Sequence, residues 1–484
     1  TVRHRDRPLG LMDLTSRSAV ELAEAVRNRE TSAVAVAQAH LERSELLSDR
    51  LGAFARLTPE LALRAAEQVD ARLAAGEPVG PLAGVPCPIK DLNAVAGVPM
   101  EAGSASMAGF VPEISDDIVG WLAEAGSVCT GKTATPEFGL PCYTEPASGE
   151  PARTPWDLTR MAGGSSGGAA AAVAAGLAPI AQASDGGGSI RIPASCCGLV
   201  GLKASRGLIS PGRGRPPGPG LVTDGLLSRT VADTALALDV LAGPRPGDTY
   251  FAPRPAGGFL AAAGREPGRL RIGVLTTPVI TEADVHPACL EAVRQTAAHL
   301  GRLGHDLVEA PVPFPVERWA AFQALWAVGA ATIPLPAEAE PLLRPLTAWL
   351  RAVGRDTSGL AYAEAVAAVQ QLTVEVAQAW DGYDTVLMPT LAQPPLPIGA
   401  IRDDQDPAAD FAAQTRFTPW TSVFNLSGRP AISLPLHTAQ IDGSLLPIGV
   451  MLGARFGRDD LLLSLSAQLE AEVGWQHPFV TAQF

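Results

Sequence analysis

The sequence of 484 residues is poor in charge and in lysine. Charged residues make up 18% of it, against about 25% in an average soluble domain. Of its 37 basic residues only three are lysines, Lys90, Lys132 and Lys203. An arginine side chain cannot give up its proton in a protein, so a site that needs a neutral amine must use one of these three. A structural role can also retain a lysine, and both interpretations stay open for each.

Features typical of several other protein classes are also missing. The six cysteines show no paired C-x-x-C spacing, and the N-terminal residues show no signal-peptide pattern. The most apolar run, which begins at Ala169, is too short for a membrane span and contains Pro179. The formal net charge of −13 argues against nucleic acid or an anionic membrane as the main partner. The composition predicts a soluble, cytoplasmic protein with a large core and buried cysteines.

The pattern of apolar residues divides the chain into three stretches. Residues 1–75 carry apolar positions three and four residues apart, which is typical of helices. Residues 76–245 alternate short apolar runs with glycine-rich turns. Residues 246–484 alternate helix and strand patterns around a mostly helical segment at about 316–380. We predict an N-terminal helical segment, a core, and a C-terminal α/β part that completes the same large domain.

One segment matches a nucleotide-binding motif in spelling. "GSVCTGKT" (126–133) fits the phosphate-loop pattern G-x-x-x-x-G-K-[ST]. A phosphate loop needs a strand before it and a helix after it. Here residues 115–126 predict a helix, and Pro136 and Gly139 prevent a helix that continues from Lys132. We interpret Lys132 as a structural lysine at the end of a short strand, with a P-loop nucleotide-binding protein as the alternative that this context disfavours.

Two glycine-rich turns carry more distinctive chemistry. "GGSSGG" followed by an alanine-rich run predicts a turn that feeds a helix near Ser166 or Gly167, where free N–H groups lie at the positive end of the helix. "APIAQAS" predicts a buried strand that runs into "DGGGS". Three glycines before Ser189 let the backbone turn sharply and point N–H groups inward, as an oxyanion site requires. Either turn taken alone is explained as well by a plain turn or an anion-binding nest.

The segment "GGSSG" also fits the nucleophile elbow G-x-S-x-G at Ser165. That motif needs a strand just before the serine, and "TPWDLTRMA" does not predict a buried strand. It also needs a downstream acid and histidine. None of the histidines that follow has a suggestive setting; they are His286, His299, His305, His437 and His477. The elbow is therefore disfavoured.

Lys90, Ser165 and Ser189, taken with their surroundings, resemble the amidase signature family. "GVPCPIKD", "GGSSGGAAAAVAAG", "DGGGSIRIPAS" and "GLVGLKAS" match its pattern in order, as do "GKTATPEFG", "FNLSGRPAISLPL" and "PIGVMLGA". The resemblance covers roughly residues 15–470 and makes 76–245 the signature core. It implies an α/β fold with a mixed central β-sheet covered by helices on both faces, and no metal or other cofactor.

The resemblance implies a Ser–cis-Ser–Lys catalytic triad. Ser189 would be the nucleophile, Ser165 the bridging serine preceded by a cis peptide bond, and Lys90 the base. A lysine with its ordinary pKa near 10.4 is charged at pH 7, so Lys90 would have to be buried. The oxyanion would be held by the backbone N–H groups of Gly186, Gly187, Gly188 and Ser189.

Residues around the proposed nucleophile carry further expectations. The resemblance favours an ion pair between Asp185 and Arg191 that braces the loop, with separate surface charges as the alternative. The family commonly has threonine where this chain has Gly186, so a side-chain contact near the oxyanion loop is missing. Cys196 and Cys197 are expected to lie in the core.

Two other regions are candidates for the pocket wall. The Pro/Gly/Arg-rich loop 205–225 predicts a lid over the pocket, from which Arg206, Arg213 and Arg215 would reach a polar substrate group; an idle surface loop is the alternative. Four aromatic residues of the helical segment would form an apolar wall or belong to plain core, namely Trp319, Phe322, Trp326 and Trp349.

The resemblance implies an amidase that cleaves a C–N bond of an amide, anilide or carbamate through a serine acyl-enzyme. The sequence looks most like the branch that contains nylon-oligomer hydrolases and urethanase-like enzymes. We expect a monomer or homodimer that acts on a small molecule, without nucleic acid or membrane as partner. The alternative is the A subunit of a tRNA-dependent amidotransferase, which would need a partner chain and a tRNA.

Overall fold

The computed structural model of the protein describes residues 11–215, 218–480 and 482. The first ten residues of the predicted N-terminal helical segment, and two residues of the predicted lid, lie outside these ranges. Within them, no helix combines the length and the apolar character that crossing a bilayer requires.

Helices make up much of the described chain. The α-helices are α1 (Leu11–Ser16), α2 (Ala19–Arg27), α3 (Ala33–Leu51), α4 (Pro59–Ala74), α5 (Asp117–Glu124), α6 (Gly167–Ala174), α7 (Arg191–Cys197), α8 (Val231–Leu241), α9 (Phe259–Ala263), α10 (Pro287–Arg302), α11 (Ala320–Ala331), α12 (Pro345–Asp356), α13 (Gly359–Trp380), α14 (Pro407–Phe417), α15 (Ser422–Ser427) and α16 (Asp459–Val473). Short 3-10 helices lie at Ala105–Met107, Glu137–Gly139, Val316–Trp319 and Ala337–Leu342.

The strands form one large sheet and two small ones. They are β1 (Phe54–Leu57), β2 (Ile89–Lys90), β3 (Gly131–Thr133), β4 (Arg153–Thr154), β5 (Asp157–Met161), β6 (Ile180–Asp185), β7 (Val200–Lys203), β8 (Thr223–Ser228), β9 (Arg271–Val274), β10 (Asp306–Glu309), β11 (Thr385–Pro389), β12 (Ala431–Ile441) and β13 (Ser444–Ala454). The small sheets have the orders β1-β3-β2 and β4-β5.

The large sheet is mixed and has eight strands in the order β10-β9-β11-β13-β12-β7-β8-β6. β9 pairs in parallel with β10 and β11, and the remaining pairs are antiparallel. The junction of β7 with β12, where Lys203 lies opposite Ala431, joins the strands before residue 245 to those after it. At the edge, the N–H of Gln182 in β6 donates to the Pro88 carbonyl at 3.0 Å, which places β2 beside β6.

Helices cover both faces of this sheet, as predicted. Alternate residues of a strand point to opposite faces, so neighbouring residues pack against different helices. Ile432 and Val450 pack in one apolar cluster with α8, α10 and α16. Their neighbours Ala431 and Met451 pack in a second cluster with α11 and α13. At the β6 end, Ala183 packs with α6 and α7 in a third cluster. The predicted α/β fold class is confirmed.

From residue 11 to residue 74 the N-terminal segment consists of helices α1 to α4, short connections and one strand that the sequence did not indicate. Strand β1 pairs antiparallel with β3, and β3 pairs in parallel with β2. In this pairing Thr133 lies opposite Lys90, and Lys132 lies opposite Ile89. The small sheet therefore ties the N-terminal helices to the strand that carries Lys90.

Lys132 lies inside β3 and forms a buried ion pair. Its Nζ is 2.6 Å from Oδ1 of Asp91, and both side chains are almost inaccessible to solvent. The other Asp91 oxygen accepts the N–H groups of Glu101 and Ala102. α5 precedes this segment and a 3-10 helix follows it, so the strand and helix order of a phosphate loop is absent from this described segment. Lys132 is structural, as predicted, although its strand begins later than expected.

Replacing Lys132 with alanine is expected to lower the free energy of unfolding by about 3–5 kcal/mol, because the Asp91 carboxylate stays buried without its partner. Chemical denaturation measures this change. Arg64→Ala is the control, since the Arg64–Glu60 pair is exposed and should cost less than about 1 kcal/mol. Magnesium ATP should leave the midpoint of every variant unchanged; stabilisation by ATP that disappears with Lys132 would restore the nucleotide hypothesis.

Candidate active site

Lys90 lies at the end of β2 and is completely buried. Its Nζ contacts three serine hydroxyls, at 2.7 Å from Ser165 Oγ, 2.9 Å from Ser166 Oγ and 3.1 Å from Ser184 Oγ. Burial lowers the pKa of Lys90 to about 7, and the carboxylates of nearby acidic residues offset this only in part. The amine is therefore neutral in a large fraction of molecules at physiological pH.

A glutamine fixes the backbone of Lys90. The Oε1 of Gln182 accepts the Lys90 N–H at 3.0 Å. The Nε2 of the same side chain donates to Asn93 Oδ1 and to Asp224 Oδ1, both at 3.2 Å. Gln182 and the hydroxyls of Ser166 and Ser184 were not predicted from the sequence. Their signals were faint: Ser166 adjoins Ser165, and both Gln182 and Ser184 lie in the strand that precedes "DGGGS".

The two glycine-rich turns lie against each other. The peptide bond between Gly164 and Ser165 is cis, as the resemblance implied. Helix α6 begins at Gly167, as predicted, with Ser166 at its N-cap. The N–H of Ser166 donates to the carbonyl of Ser189 at 3.3 Å, and Thr135 Oγ1 donates to the Ser165 carbonyl at 3.1 Å. This contact brings the bridging-serine turn next to the turn that carries Ser189.

Ser189 lies in the tight turn between β6 and α7 and lines a pocket. The turn requires glycine at 188, where φ is +137°. A Cβ at Gly188 would also lie 2.6 Å from Oγ1 of Thr421. The Thr421 hydroxyl donates to the Gly187 carbonyl at 2.6 Å, so this residue also fixes the turn by a hydrogen bond.

The backbone of this turn offers fewer free donors than expected. Among the described residues, the N–H groups of Gly186, Gly187 and Ser189 have no acceptor. Gly188 is different, because its N–H donates to Oδ1 of Asp185 at 2.8 Å. Gly188 was predicted as an oxyanion donor, but its N–H is already bound to Asp185, the carboxylate that braces the loop.

Asp185 and Arg191 form the predicted ion pair. Arg191 donates from Nε to Oδ2 and from Nη2 to Oδ1 of Asp185, both at 2.9 Å, and neither side chain is exposed. Asn425 Nδ2 donates to the same carboxylate at 2.9 Å. Burial raises the pKa of Asp185, but Arg191 and the hydrogen bonds outweigh burial and hold the pKa at about 2. The carboxylate stays charged and fixes the turn from beneath.

Helices of the C-terminal part form much of the pocket wall at Ser189. The residues that line this pocket in the described chain include no charged side chain; they are Leu140, Pro141, Cys142, Gly187, Ser189, Ile192, Ile280, Trp319, Phe322, Trp326, Phe411, Gln414, Thr415, Thr418 and Ser422. Three of the four aromatic residues considered as a wall are among them. The fourth, Trp349, packs behind, with its ring centroid 5.8 Å from that of Phe411.

The predicted lid arginines do not line this pocket. Arg206 is held by the protein itself, because its guanidinium donates to the carbonyls of Gly220, Asn425 and Leu426. Its guanidinium also lies 5.5 Å from the ring centroid of Tyr250. It contacts a second cavity of about 180 Å³ that does not include Ser189. Arg206 therefore does not line the pocket at which it was expected to contact substrate.

Arg213 and Arg215 are anchored elsewhere as well. Arg213 is exposed and forms an ion pair with Asp117 in α5, at 2.7 Å. Arg215 lines the second cavity, with Nη1 3.8 Å from Asp224 Oδ1. The loop meets the site instead through Val222, whose Cγ2 would lie 3.1 Å from a Cβ at Gly186.

The surroundings of Ser165 differ from those of a nucleophile elbow. "TPWDLTRMA" does contain strand β5, but β5 pairs with β4 in a two-stranded sheet and is not a strand of the large sheet. No histidine lines the pocket in the described chain. Ser165 instead contacts Lys90, which agrees with the rejection of the elbow.

Several known proteins are similar to this chain in sequence and in fold. A family model described as Amidase matches residues 35–463. The 6-aminohexanoate-cyclic-dimer hydrolase of Paenarthrobacter ureafaciens is 35% identical, over 94% of each chain. The solved structure of 6-aminohexanoate cyclic dimer hydrolase with its substrate has a TM-score of 0.88 at 32% identity, covering 97% of this chain and 100% of that one. A bacterial aryl acylamidase has a TM-score of 0.85 at 26% identity, over 96% and 99%.

Proposed function

Because the chain belongs to the amidase signature family and is a hydrolase of amide C–N bonds, we propose that it acts through an acyl-enzyme on Ser189. In this proposal Ser165 relays the proton and Lys90 is the base. The observation that carries the proposal is the contact of the fully buried Lys90 Nζ with Ser165 Oγ at 2.7 Å. The backbone contact between Ser166 and Ser189 supports it, because it brings the two serine turns together.

The three contacts of Lys90 suit a neutral amine. An uncharged amino group has two N–H donors and one lone pair. Ser166 Oγ donates onward to the Ser184 carbonyl at 3.3 Å, so it accepts from Lys90. With Ser184 Oγ accepting the second N–H, the lone pair faces Ser165. Ser166 and Ser184 would thus position the amine so that it accepts a proton from Ser165.

Acylation then proceeds with the protons balanced. Ser189 Oγ bonds to the substrate carbonyl carbon, its proton passes to Ser165 Oγ, and the Ser165 proton passes to Lys90 Nζ. When the C–N bond breaks, Ser165 gives a proton to the leaving nitrogen and regains one from Lys90. The amine departs and the acyl group stays on Ser189. Water then attacks the ester by the same relay, which releases the acid and restores Ser189.

The negative charge that develops on the carbonyl oxygen would be held by the N–H groups of Gly186, Gly187 and Ser189. Each such donor contributes about 3–4 kcal/mol to the transition state in comparable sites. The Asp185–Arg191 pair would act indirectly, since Asp185 holds the Gly188 N–H and so fixes the direction of its neighbours.

We propose amides, anilides and carbamates as the substrate range, which includes urethanase activity. The relatives support the first two, since one hydrolyses the 6-aminohexanoate cyclic dimer and another is an aryl acylamidase. The purified chain alone should hydrolyse at least one member of a panel of anilides, aliphatic amides and carbamates, with Ser189→Ala as the blank. Turnover only with a partner chain and tRNA would favour the amidotransferase alternative instead.

We further propose a cytoplasmic enzyme that works as a monomer or homodimer on a small molecule, without nucleic acid, membrane or cofactor as partner. The state of the cysteines supports a reducing compartment, because all six are free thiols and five of them are buried. Burial raises the pKa of Cys196 well above its usual range, which keeps it protonated.

The 210–220 loop remains a proposed gate, although its arginines act by anchoring it. Arg213→Ala/Arg215→Ala removes the tethers to Asp117 and Asp224. The exposed Arg213 side chain and the partly buried Arg215 side chain each form one tether. A surface tether contributes up to about 1 kcal/mol, so the double variant should change the kcat/KM ratio of a bulky carbamate to a small anilide by about 3-fold. Arg64→Ala is the control for loss of an exposed arginine. A ratio that stays at the wild-type value would remove the support for a gate.

A further inference from the structure

Three aromatic rings line one face of the helix that closes the Ser189 pocket. The 3-10 helix Val316–Trp319 continues into α11, and Trp319, Phe322 and Trp326 follow at helical spacing. The ring centroids of successive members are 5.3 Å apart, with planes within 16° and 17° of parallel. We call these residues the ring stack. In such a stack the ring edges, not the ring faces, point toward the glycine turn, since Cζ3 of Trp326 and Cζ of Phe322 are the ring atoms nearest to it. Ring edges favour edge-to-face contact with another aromatic group.

The ring stack lies directly against the glycines of the Ser189 turn. A Cβ at Gly186 would lie 3.0 Å from Cζ3 of Trp326, and a Cβ at Gly187 would lie 3.2 Å from Cζ of Phe322. These are two of the residues whose N–H groups are free. Gly186 has no side chain, whereas the family commonly has threonine at this position. The Trp326 ring can therefore reach the turn.

The side chains that line the pocket offer no partner to a charged substituent of the acyl group. Its polar side chains are already bound within the protein: Gln414 Oε1 accepts the Cys142 N–H at 2.9 Å, and Ser422 Oγ accepts from Trp319 Nε1 at 2.9 Å. The space among the lining residues is small, about 50 Å³. A charge placed there would lose its hydration without a partner, and a thick group would have to displace the rings.

The positions of the two serines assign the ring stack to one side of the substrate. The leaving nitrogen must face Ser165, and Ser165 Oγ lies 3.2 Å from a Cβ placed on Gly139, beside Leu140 and Pro141. The rings contact the glycine turn instead, so they lie on the acyl side of the scissile bond.

We propose that Trp326 and Phe322 form an acyl subsite that selects an uncharged, planar acyl group, such as an aromatic one. The proposal rests on the proposed function, because it takes Ser189 and Ser165 in the roles given above. It makes Trp326 a specificity-determining residue, with Gly186 as the position that admits its ring.

Primary amides test the proposal because they share one leaving group, ammonia, which a coupled assay measures. Wild type should favour benzamide over cyclohexanecarboxamide by about 10-fold in kcat/KM, and over 4-carboxybenzamide by about 100-fold. Trp326→Ala should reduce the first preference to within about 3-fold, whereas Trp326→Phe retains it. Trp349→Ala is the matched control, since Trp349 belongs to the same aromatic cluster but does not line the pocket.

A second pair of substrates, acetanilide and N-cyclohexylacetamide, places the ring on the amine side. Trp326→Ala should leave the ratio of their kcat/KM values unchanged. An unchanged benzamide preference in Trp326→Ala, or a change confined to the acetanilide pair, would overturn the acyl subsite while leaving the hydrolase intact. Failure of wild type to hydrolyse any amide would overturn the proposed function and this inference with it.

Discussion

Ser189→Ala is expected to lower kcat/KM for every amide substrate by at least about 10⁴-fold, because the attacking hydroxyl is lost and no neighbouring side chain can replace it. The residual rate should come only from binding and from the free N–H groups of the turn. Initial rates with a sensitive amide or anilide measure the loss. The fold should persist, since alanine is compatible with the turn and the glycine at 188 is untouched.

Ser195→Ala is the matched control for this variant. Ser195 lies six residues downstream in α7, and its hydroxyl accepts the Gly449 N–H at 3.0 Å, away from the pocket. Its loss should cost about 1 kcal/mol of stability and change kcat/KM by less than about 3-fold. Retention of more than about 1% of wild-type activity by Ser189→Ala, with a normal thermal midpoint, would move the nucleophile to another residue.

Lys90→Arg is expected to be as inactive as Lys90→Ala, with both losing at least about 10³-fold in kcat/KM. Arginine keeps the positive charge but cannot accept a proton at any accessible pH. A lysine that acted only through its charge would therefore tolerate arginine better than alanine. Activity in the arginine variant well above that of the alanine variant would contradict the proton relay.

The same lysine sets the pH dependence. The neutral amine is the active form, and with the pKa lowered to about 7 its population rises as pH increases through 7. Wild-type kcat/KM should therefore rise from pH 6 to about pH 8 and then level off. A profile that falls over this interval would mean that the charged form is the active one.

Lys90 also affects stability, and its pKa shift is opposite in direction to that of a lysine in an ion pair. Its folded-state pKa lies below the unfolded value, so the unfolded chain binds more protons between about pH 7 and pH 10. Stability should rise with pH across this window. At pH 7 the burial costs about 4 kcal/mol, so Lys90→Met should be inactive yet more stable than wild type in chemical denaturation.

Much of the fold could be predicted because local and long-range signals agree. The strand that becomes Ile180–Asp185 is an apolar run that ends at glycines, and the alanine-rich run after "GGSSGG" has no alternative to a helix. Lysine scarcity singled out three side chains, and all three are buried. One lies at the site and another, Lys132, binds Asp91.

What the sequence could not predict depends on side-chain partners distant in the chain. Strand Phe54–Leu57 exists because it pairs with residues 131–133, and its own residues are half-buried or exposed. The Gly188 N–H donates to Asp185, and a run of three glycines in the sequence gives no sign of this hydrogen bond. The arginines of 205–225 suggested substrate contacts, but in the structure their guanidinium groups bind carbonyls and acidic residues of the protein itself.

Trapping the covalent intermediate is the most direct measurement. Wild type mixed with a slowly hydrolysed amide or carbamate should be quenched in acid within the first turnovers and examined by intact and peptide mass spectrometry. The expected result is one acyl group added per chain on the peptide that contains Ser189, and none in Ser189→Ala. An acyl group on another residue, or hydrolysis by wild type with no covalent adduct under single-turnover conditions, would contradict the acyl-enzyme.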